Sequence, residues 1–400
     1  MTRKQFISLV GVLVLLLGAG AWVKMSDDAQ WKATDERVGK LLLPSLKLAD
    51  VAEMRIVESG GSVTIKRNEG GWIVTERADF PADVERIRDL IVKLVELKIS
   101  QIEPLVDNQR AKLVLVEPKA ASKADATDVK DTKDGKDAKD AAKDTGTVLE
   151  LKDKDGKSLS RLLLGRVVTK KVEQQTQQGQ TITRDVPNGR YVIGAEANTV
   201  AVVTDPLTAA ESKPASWLFK DVFRVERAKV LTSTTGDGKP RWAYLRDTDS
   251  VDWKFVGSTE KMDLQKAQDN VSALIYVALA DVTDPSQANF AKGIKVKVDT
   301  FDGFIYEVSF GDKTDKGLYH MKFTVSANLP KTRVVPKDEK PEDKEKADKA
   351  FEEQTKAYSE KLEREKKLEA WTYLISKTTA EPLLRERAQL LPDKKDEKKK

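Results

Sequence analysis

The chain has no cysteine and a single histidine. Without cysteine it forms no disulfide, no thiolate metal site, no cysteine nucleophile and no lipid-modified N-terminal cysteine. With only His320 to offer, a zinc site of His and Cys ligands cannot be assembled within the chain. A Ser-His-Asp triad would have to use His320, and no nucleophile motif stands out to serve it. His320 lies in Leu318-Tyr319-His320-Met321-Lys322-Phe323. Strict alternation sets it beside Lys322 and opposite Tyr319, Met321 and Phe323, which reads as an exposed strand histidine.

Also missing are a glycine loop ending in Gly-Lys-Ser/Thr and a Gly-x-Gly-x-x-Gly behind a strand. Their absence speaks against ATP hydrolysis and dinucleotide binding by those routes. Charge of one sign is lacking too: 70 Lys+Arg stand against 65 Asp+Glu, a net +5. With no basic stripe interleaved with aromatics, nucleic acid is not an expected partner. Asp153-Lys154-Asp155-Gly156 has a slight likeness to a calcium loop. Leu151 stands where a ligand is needed and no Glu follows at the right distance. It reads as a hairpin turn. No cofactor is expected.

Only one apolar run is membrane-length. Residues 6–23 carry no charge, and include Phe6, Leu9, Leu13, Leu16 and Trp22. As a helix they would span roughly 27 Å, close to the hydrocarbon thickness of a bilayer. Arg3 and Lys4 precede the run, whereas Lys24 is mixed with Asp27 and Asp28 after it. The expectation is a single-pass anchor in the inner (cytoplasmic) membrane, with the N-terminus cytoplasmic and the bulk periplasmic. The rival reading is a cleaved signal peptide with Ala19-Gly20-Ala21 at the cleavage site.

What the chain does have is internal repetition. Trp72 is followed by Val84, Ile87, Ile91, Leu94 and Ile102, and Trp253 by Leu264, Ala267, Val271, Leu274 and Val282, at an offset of 181 at the Trp and 180 at every later position. In the first copy, short strand-like runs at 54–57, 62–67 and 72–74 are separated by Gly60-Gly61 and Gly70-Gly71. Pro81 and Asp83 then open a helix whose apolar face is Val84, Ile87, Ile91 and Leu94. The second copy has runs at 228–232, 241–246 and 253–256, then a helix capped by Asp263.

Each copy adds a hairpin, 148–164 around Asp155-Gly156 before Gly165, and 294–310 around Asp302-Gly303 before Gly311. A further strand holds Tyr191-Val192-Ile193 in one copy, with Tyr373-Leu374-Ile375 taken as its match. The expected fold is α+β, two tandem related domains of antiparallel strands with a covering helix. They follow the segment 1–25 (anchor or signal peptide) and a stalk at 26–47. The copies occupy 48–220 and 221–400, joined by a connector at 205–220 with a short helix ending at Trp217-Leu218-Phe219.

Two insertions separate the copies. Residues 117–147 are rich in Lys, Asp and Ala, with Asp125, Asp128, Asp131, Asp134, Asp137 and Asp140 at a period of three. That period builds no apolar stripe, so the segment reads as a disordered loop or a frayed helix. Residues 336–369 carry Glu342/Lys346, Glu352/Lys356, Glu360/Arg364 and Glu363/Lys367 in the favourable helical order, with a thin stripe of Phe351, Tyr358 and Leu362. This reads as a long exposed helix and the candidate partner-contact surface. A basic tail, 392–400, closes the chain. Trp72 and Trp253, being equivalent in the repeat, are expected in the core.

Several short stretches taken in order resemble the family called domain of unknown function 4340. They are Leu42-Leu43-Pro44-Ser45-Leu46, Val63-Thr64-Ile65-Lys66-Arg67, Gly71-Trp72-Ile73-Val74, Phe80-Pro81-Ala82-Asp83 and Leu94-Val95-Glu96-Leu97-Lys98. Asp155-Gly156, Gly165, Gly189-Arg190-Tyr191-Val192 and Trp217-Leu218 continue the pattern. The resemblance is densest from about residue 40 to 220. It implies a membrane-anchored auxiliary protein that accompanies ABC-type permease and ATPase subunits, and supplies no catalytic residues. The expected function is thus a non-catalytic extracytoplasmic accessory or assembly subunit of an ABC-type transport or cell-envelope complex. A glycan- or peptide-binding module of the envelope is the alternative. A hydrolase working with carboxylates alone is the third reading.

Overall fold

The computed structural model describes residues 35–118, 145–175, 181–194, 199–335 and 339–393. The expected anchor with Phe6, Leu9, Leu13, Leu16 and Trp22 lies outside them, as do most of the Lys/Asp-rich loop and the end of the basic tail. Among the described residues no helix is long and apolar enough to cross a membrane.

The fold is α+β, dominated by antiparallel strands. The first elements are β1 (Glu53–Glu58), β2 (Gly61–Asn68), β3 (Gly71–Val74), β4 (Phe80–Pro81), α1 (Val84–Val95) and β5 (Ile99–Pro104). Then come β6 (Thr147–Lys152), β7 (Ser158–Gln175), β8 (Thr181–Ile193) and β9 (Thr199–Val203). The later part holds β10 (Ala228–Thr235), β11 (Pro240–Leu245), β12 (Lys254–Phe255), α2 (Leu264–Ile275), β13 (Leu279–Thr283), β14 (Ile294–Thr300), β15 (Phe304–Lys313) and β16 (Tyr319–Ala327). It ends with α3 (Pro341–Lys367), β17 (Thr372–Ile375) and α4 (Lys377–Leu384). One sheet runs β4-β3-β2-β1-β6-β7-β8-β9-β5 and the other β12-β11-β10-β14-β15-β16-β17-β13. With β4 set aside, the two orders correspond strand for strand, and each contains one helix just before its last strand in space.

That correspondence corrects one sequence match. Tyr191 lies in β8, next to β7, but Tyr373 lies in β17, two strands from β15. The place of β8 is taken by β16, so the extra residues of the second sheet fall between β16 and β17.

By internal contacts the chain forms two compact units, Met1–Val63 with Glu85–Ser212, and Thr64–Val84 with Lys213–Lys400. This differs from a division at residue 220. The reason lies in what residues 75–82 touch within the second unit. Arg77 makes a two-point ion pair with Asp281 of β13 at 2.6 and 2.8 Å. The Phe80 ring meets Trp371 and Tyr373 edge-on at 5.2 and 6.0 Å. Trp371 Nε1 donates to Ala78 O, and Ala82 bridges to Leu218 beside the short helical turn Pro214–Trp217.

In the first unit the end of the expected stalk is tied down. Gly39 N donates to Ile99 O, Leu42 N to Leu97 O and Ile99 N to Lys40 O, at 2.7–3.0 Å. Helix α1 buries Ile87, Leu90, Ile91 and Leu94. In the second unit α2 is capped as expected, Asp263 accepting from Gln265 N and Lys266 N, and it buries Ala267, Asn270, Val271 and Leu274. Val84 and Leu264, placed on those faces from spacing, are exposed. Each is the first residue of its helix, where no preceding turn extends the packed stripe.

Both sheets have one apolar face. In the first, Met54 pairs with Leu151, Ile56 with Leu149, and Leu149 with Leu162, all buried. In the second, Val296 pairs with Val308, Val298 with Tyr306, and Val308 with Phe323. The other faces differ. Val57, Val148, Leu163 and Ile193 stand side by side on the first sheet, and form a buried cluster with Leu115 and Val200, flanked by Leu105 and Leu113. At the same places on the second sheet stand Thr234, Lys295, Ser309 and Lys322, and both lysines are exposed.

Both units let a returning loop cross the hairpin at a pair of glycines. A Cβ on Gly146 or Gly165 would lie 2.7 or 2.5 Å from the carbonyl oxygen of Val114 or Leu113. On Gly293 it would lie 2.0 Å from the carbonyl oxygen of Phe310 in the neighbouring strand and 3.1 Å from that of the loop residue Phe290, and on Gly311 2.7 Å from that of Asn289. Backbone cannot yield as a side chain does, so Gly165→Ala is expected to lower stability by about 1–3 kcal/mol, as overpacking does. The urea midpoint should fall with little change in slope.

Candidate functional site

Helix α3 carries the residues singled out from sequence. It begins with Pro341, is rich in Glu, Lys and Ala, and ends with Arg364, Lys366 and Lys367 in the last turn, where cations suit the helix dipole. At its start Arg333 binds Glu339 at 2.5 and 2.8 Å and Asp348 at 2.7 Å, fastening the incoming chain to the helix. Its C-terminal half lies on its own sheet. Tyr358, Lys361, Glu365 and Leu368 fall at helical spacing on one side, and that side faces β15 and β16.

The Tyr358 ring meets Phe304 edge-on at 5.6 Å. Lys361 Nζ donates to Arg224 O at 2.8 Å and to Glu226 at 3.1 Å, and lies 5.4 Å above the Phe304 ring. Glu369 accepts from Val325 N at 2.6 Å. The sequence stripe of Phe351, Tyr358 and Leu362 is therefore half-buried, and Tyr358 is engaged within the chain itself. The outward side of α3 is charged.

Glu365 is the deepest acid here, 1% exposed. It accepts from the Tyr306 hydroxyl at 2.9 Å and from Arg224 N at 3.3 Å, with Lys361 Nζ at 3.7 Å. Burial pushes its carboxyl above the ordinary glutamate value, and outweighs Lys361, Tyr306 and Arg224, which all pull it down. Glu226 and Asp302 line a cavity beside it with Thr300, Phe304, Tyr306, Tyr358 and Lys361. Its volume is about 10 Å³, room for about one water molecule. The buried acid therefore fastens a helix to a sheet, and the space next to it admits neither a sugar ring nor a peptide.

The first unit has its own polar cluster. Arg190 Nε donates to Gly165 O at 2.7 Å, and its other nitrogens reach Leu207 O at 3.3 Å and Thr147 Oγ1 at 3.4 Å. Glu58 accepts from Thr147 Oγ1 at 3.0 Å and from Ser212 Oγ at 2.6 Å. These bonds join β1, β6, β7 and β8 to the chain following β9.

His320 is buried, 5% exposed, which corrects its reading as an exposed strand residue. The register of β15 breaks between Phe310 and Lys313, and the displaced Asp312 folds over the ring. His320 Nδ1 stands 3.0 Å from Asp312 O and 2.9 Å from its carboxylate. Donation from Asn289 N, with His320 second, holds the Asp312 carboxyl below the usual range. Among the described residues no three His, Asp or Glu side chains converge on a metal position. Trp253 is buried against Tyr244 at 5.3 Å with the Arg246 guanidinium 4.7 Å above it, whereas Trp72 is half-buried.

One feature absent from the sequence reading is the length of β7 and β8. From Thr169 they continue as a two-stranded ribbon to Gln175 and back from Thr181 to Pro187. Its signal is β-branched residues, Thr169, Val172, Thr181, Ile182, Thr183 and Val186. Polar residues on both faces hide the usual alternation.

The pH dependence follows from Glu365. Because its folded value is raised, its stabilisation is complete below the unfolded value near 4.5 and is lost as pH rises through the folded value. Glu365→Gln is expected to flatten the stability profile above pH 4.5, measured by urea unfolding across a pH series. Glu365→Ala, which strips partners from Tyr306 and Arg224 N, should cost about 1–3 kcal/mol at low pH.

A family model described as Domain of unknown function (DUF4340) matches residues 72–293. No curated protein matches the chain, and no solved structure does.

Proposed function

The chain belongs to the DUF4340 family, and from that membership and the surfaces described above we propose that it is a non-catalytic accessory or assembly subunit of an ABC-type transport or cell-envelope complex. The apolar segment 6–23 anchors it in the inner membrane, and the bulk is extracytoplasmic. The anchor is supported by the uncharged run with Phe6, Leu9, Leu13, Leu16 and Trp22 behind Arg3 and Lys4. The transport association is supported by the family resemblance.

In this reading the two units are tandem relatives. Support comes from the shared strand order, the paired loop crossings at Gly146/Gly165 and Gly293/Gly311, and the two twelve-residue helices α1 and α2. The observation that carries the functional reading is that two elements exceed what the sheets require. These are α3 with its charged outward side, and the β7–β8 ribbon. Elements of this kind offer surfaces to partners.

A glycan-binding module would be favoured by a row of exposed aromatics, but Trp253 is spent on the core and Trp72 is half-buried. A carboxylate hydrolase would need more room than the space beside Glu365. Affinity purification of the full-length protein from detergent-solubilised native membranes should recover permease and ATPase subunits. Recovery of the protein alone at native expression levels would reject the proposal.

A further inference from the structure

The corresponding hairpins β7–β8 and β15–β16 part company just past the loop crossing. Strand β15 ends at Lys313, two residues beyond Gly311, whereas β7 runs from Gly165 to Gln175. The sheet therefore does not need the extension. From Thr169 to Gln175 and from Thr181 to Pro187 the two strands pair only with each other among the described residues.

Register divides the ribbon into two faces. On one, Lys170 stands opposite Val186, Val172 opposite Arg184 and Gln174 opposite Ile182. On the other, Thr169 faces Pro187, Lys171 faces Asp185, Glu173 faces Thr183 and Gln175 faces Thr181. The second face mixes both signs of charge with hydroxyls, as a solvated surface does. The first carries three β-branched apolar residues and two cations, and no carboxylate. Val172 and Val186 are 37% and 39% exposed. Neither Lys170 nor Arg184 forms an ion pair among the described residues.

We propose that the Val172/Ile182/Val186 face of the ribbon is a docking surface for a protein partner whose apolar strip is rimmed by carboxylates. Charge selects this occupant. A second copy of the chain, packed face to face, would set Lys170 and Arg184 against the same cations with no acid between them. A bilayer surface calls for aromatic or leucine anchors beside the cations, and this face has none. Valine and isoleucine pack well on a pleated surface, and Lys170 and Arg184 bracket them for carboxylates.

The assignment rests on the reading of the chain as a partner-binding subunit. Because the chain has no cysteine, Val172→Cys in the full-length protein gives a unique handle for a thiol-linked photocrosslinker. The expected result in native membranes is one protein adduct, with the crosslinked partner peptide next to Asp or Glu. The double variant Lys170→Glu/Arg184→Glu should reduce the adduct about tenfold or more. Its thermal melt should stay unchanged, since both positions are exposed. Lipid adducts only, self-adducts only, or an adduct insensitive to the double reversal would overturn the docking surface. Recovery of subunits by affinity purification without an adduct at position 172 would remove the ribbon proposal and leave the accessory role intact. Failure of both would remove both.

Discussion

An antiparallel sheet has two faces, and only the face turned from water needs apolar cover. Everything distinctive about this chain follows from how each sheet treats its second face. The first face is handled alike in both sheets, by rows of Val, Leu, Ile and aromatic residues. On the second face the first unit brings Leu105, Leu113 and Leu115 against Val57, Val148, Leu163 and Ile193. The later unit sets Thr234, Lys295, Ser309 and Lys322 at those places, the lysines exposed and the two hydroxyl residues half-buried. One sheet thus has cores on both sides and the other on one side. The same strand order supports both solutions because register, not composition, fixes which residues stand together.

Attachments then load each sheet differently. The first sheet has the long ribbon, outside any core. The second receives α3, seated through Tyr358, Lys361 and Glu365, and residues 64–84 through Arg77, Phe80 and Ala82. Buried polar groups accompany the seams: Glu365 with Tyr306, and Asn270 with Tyr244 at 3.0 Å. Such groups demand a specific geometry, because a misplaced helix would leave a carboxyl or an amide in an apolar setting without partners.

Much of this architecture was legible in the residues. Apolar positions at helical spacing marked α1 and α2, Asp263 announced its cap, and Asp155-Gly156 and Asp302-Gly303 located both hairpin turns. The charged composition of 341–367 signalled a long helix. Other features depend on what meets across large separations. Spacing made Val84 and Leu264 core residues, but spacing does not know that a helix has an end. Alternation put His320 in solvent, but a register break eight residues earlier, in the adjacent strand β15, brought Asp312 over it. The tyrosines at 191 and 373 share a local motif while occupying different strands, so matching letters paired the wrong strands, although the insertion at 336–369 does fall between β16 and β17. The ribbon is not legible in the sequence because neither of its faces is apolar enough to announce a strand.

Grouping of residues 64–84 with the later part of the chain also governs the order in which the molecule can assemble. Arg77 waits for Asp281, 204 positions downstream, and Ala78 waits for Trp371, 293 positions downstream. As the polypeptide emerges from the ribosome, Phe80 has no aromatic neighbours until Trp371 and Tyr373 have been made. Closing such distant contacts is slow and leaves apolar surface bare in the meantime. Residues 64–84 are thus the earliest-made segment of their unit, and a chain cut short before residue 371 leaves Phe80 without either of these rings.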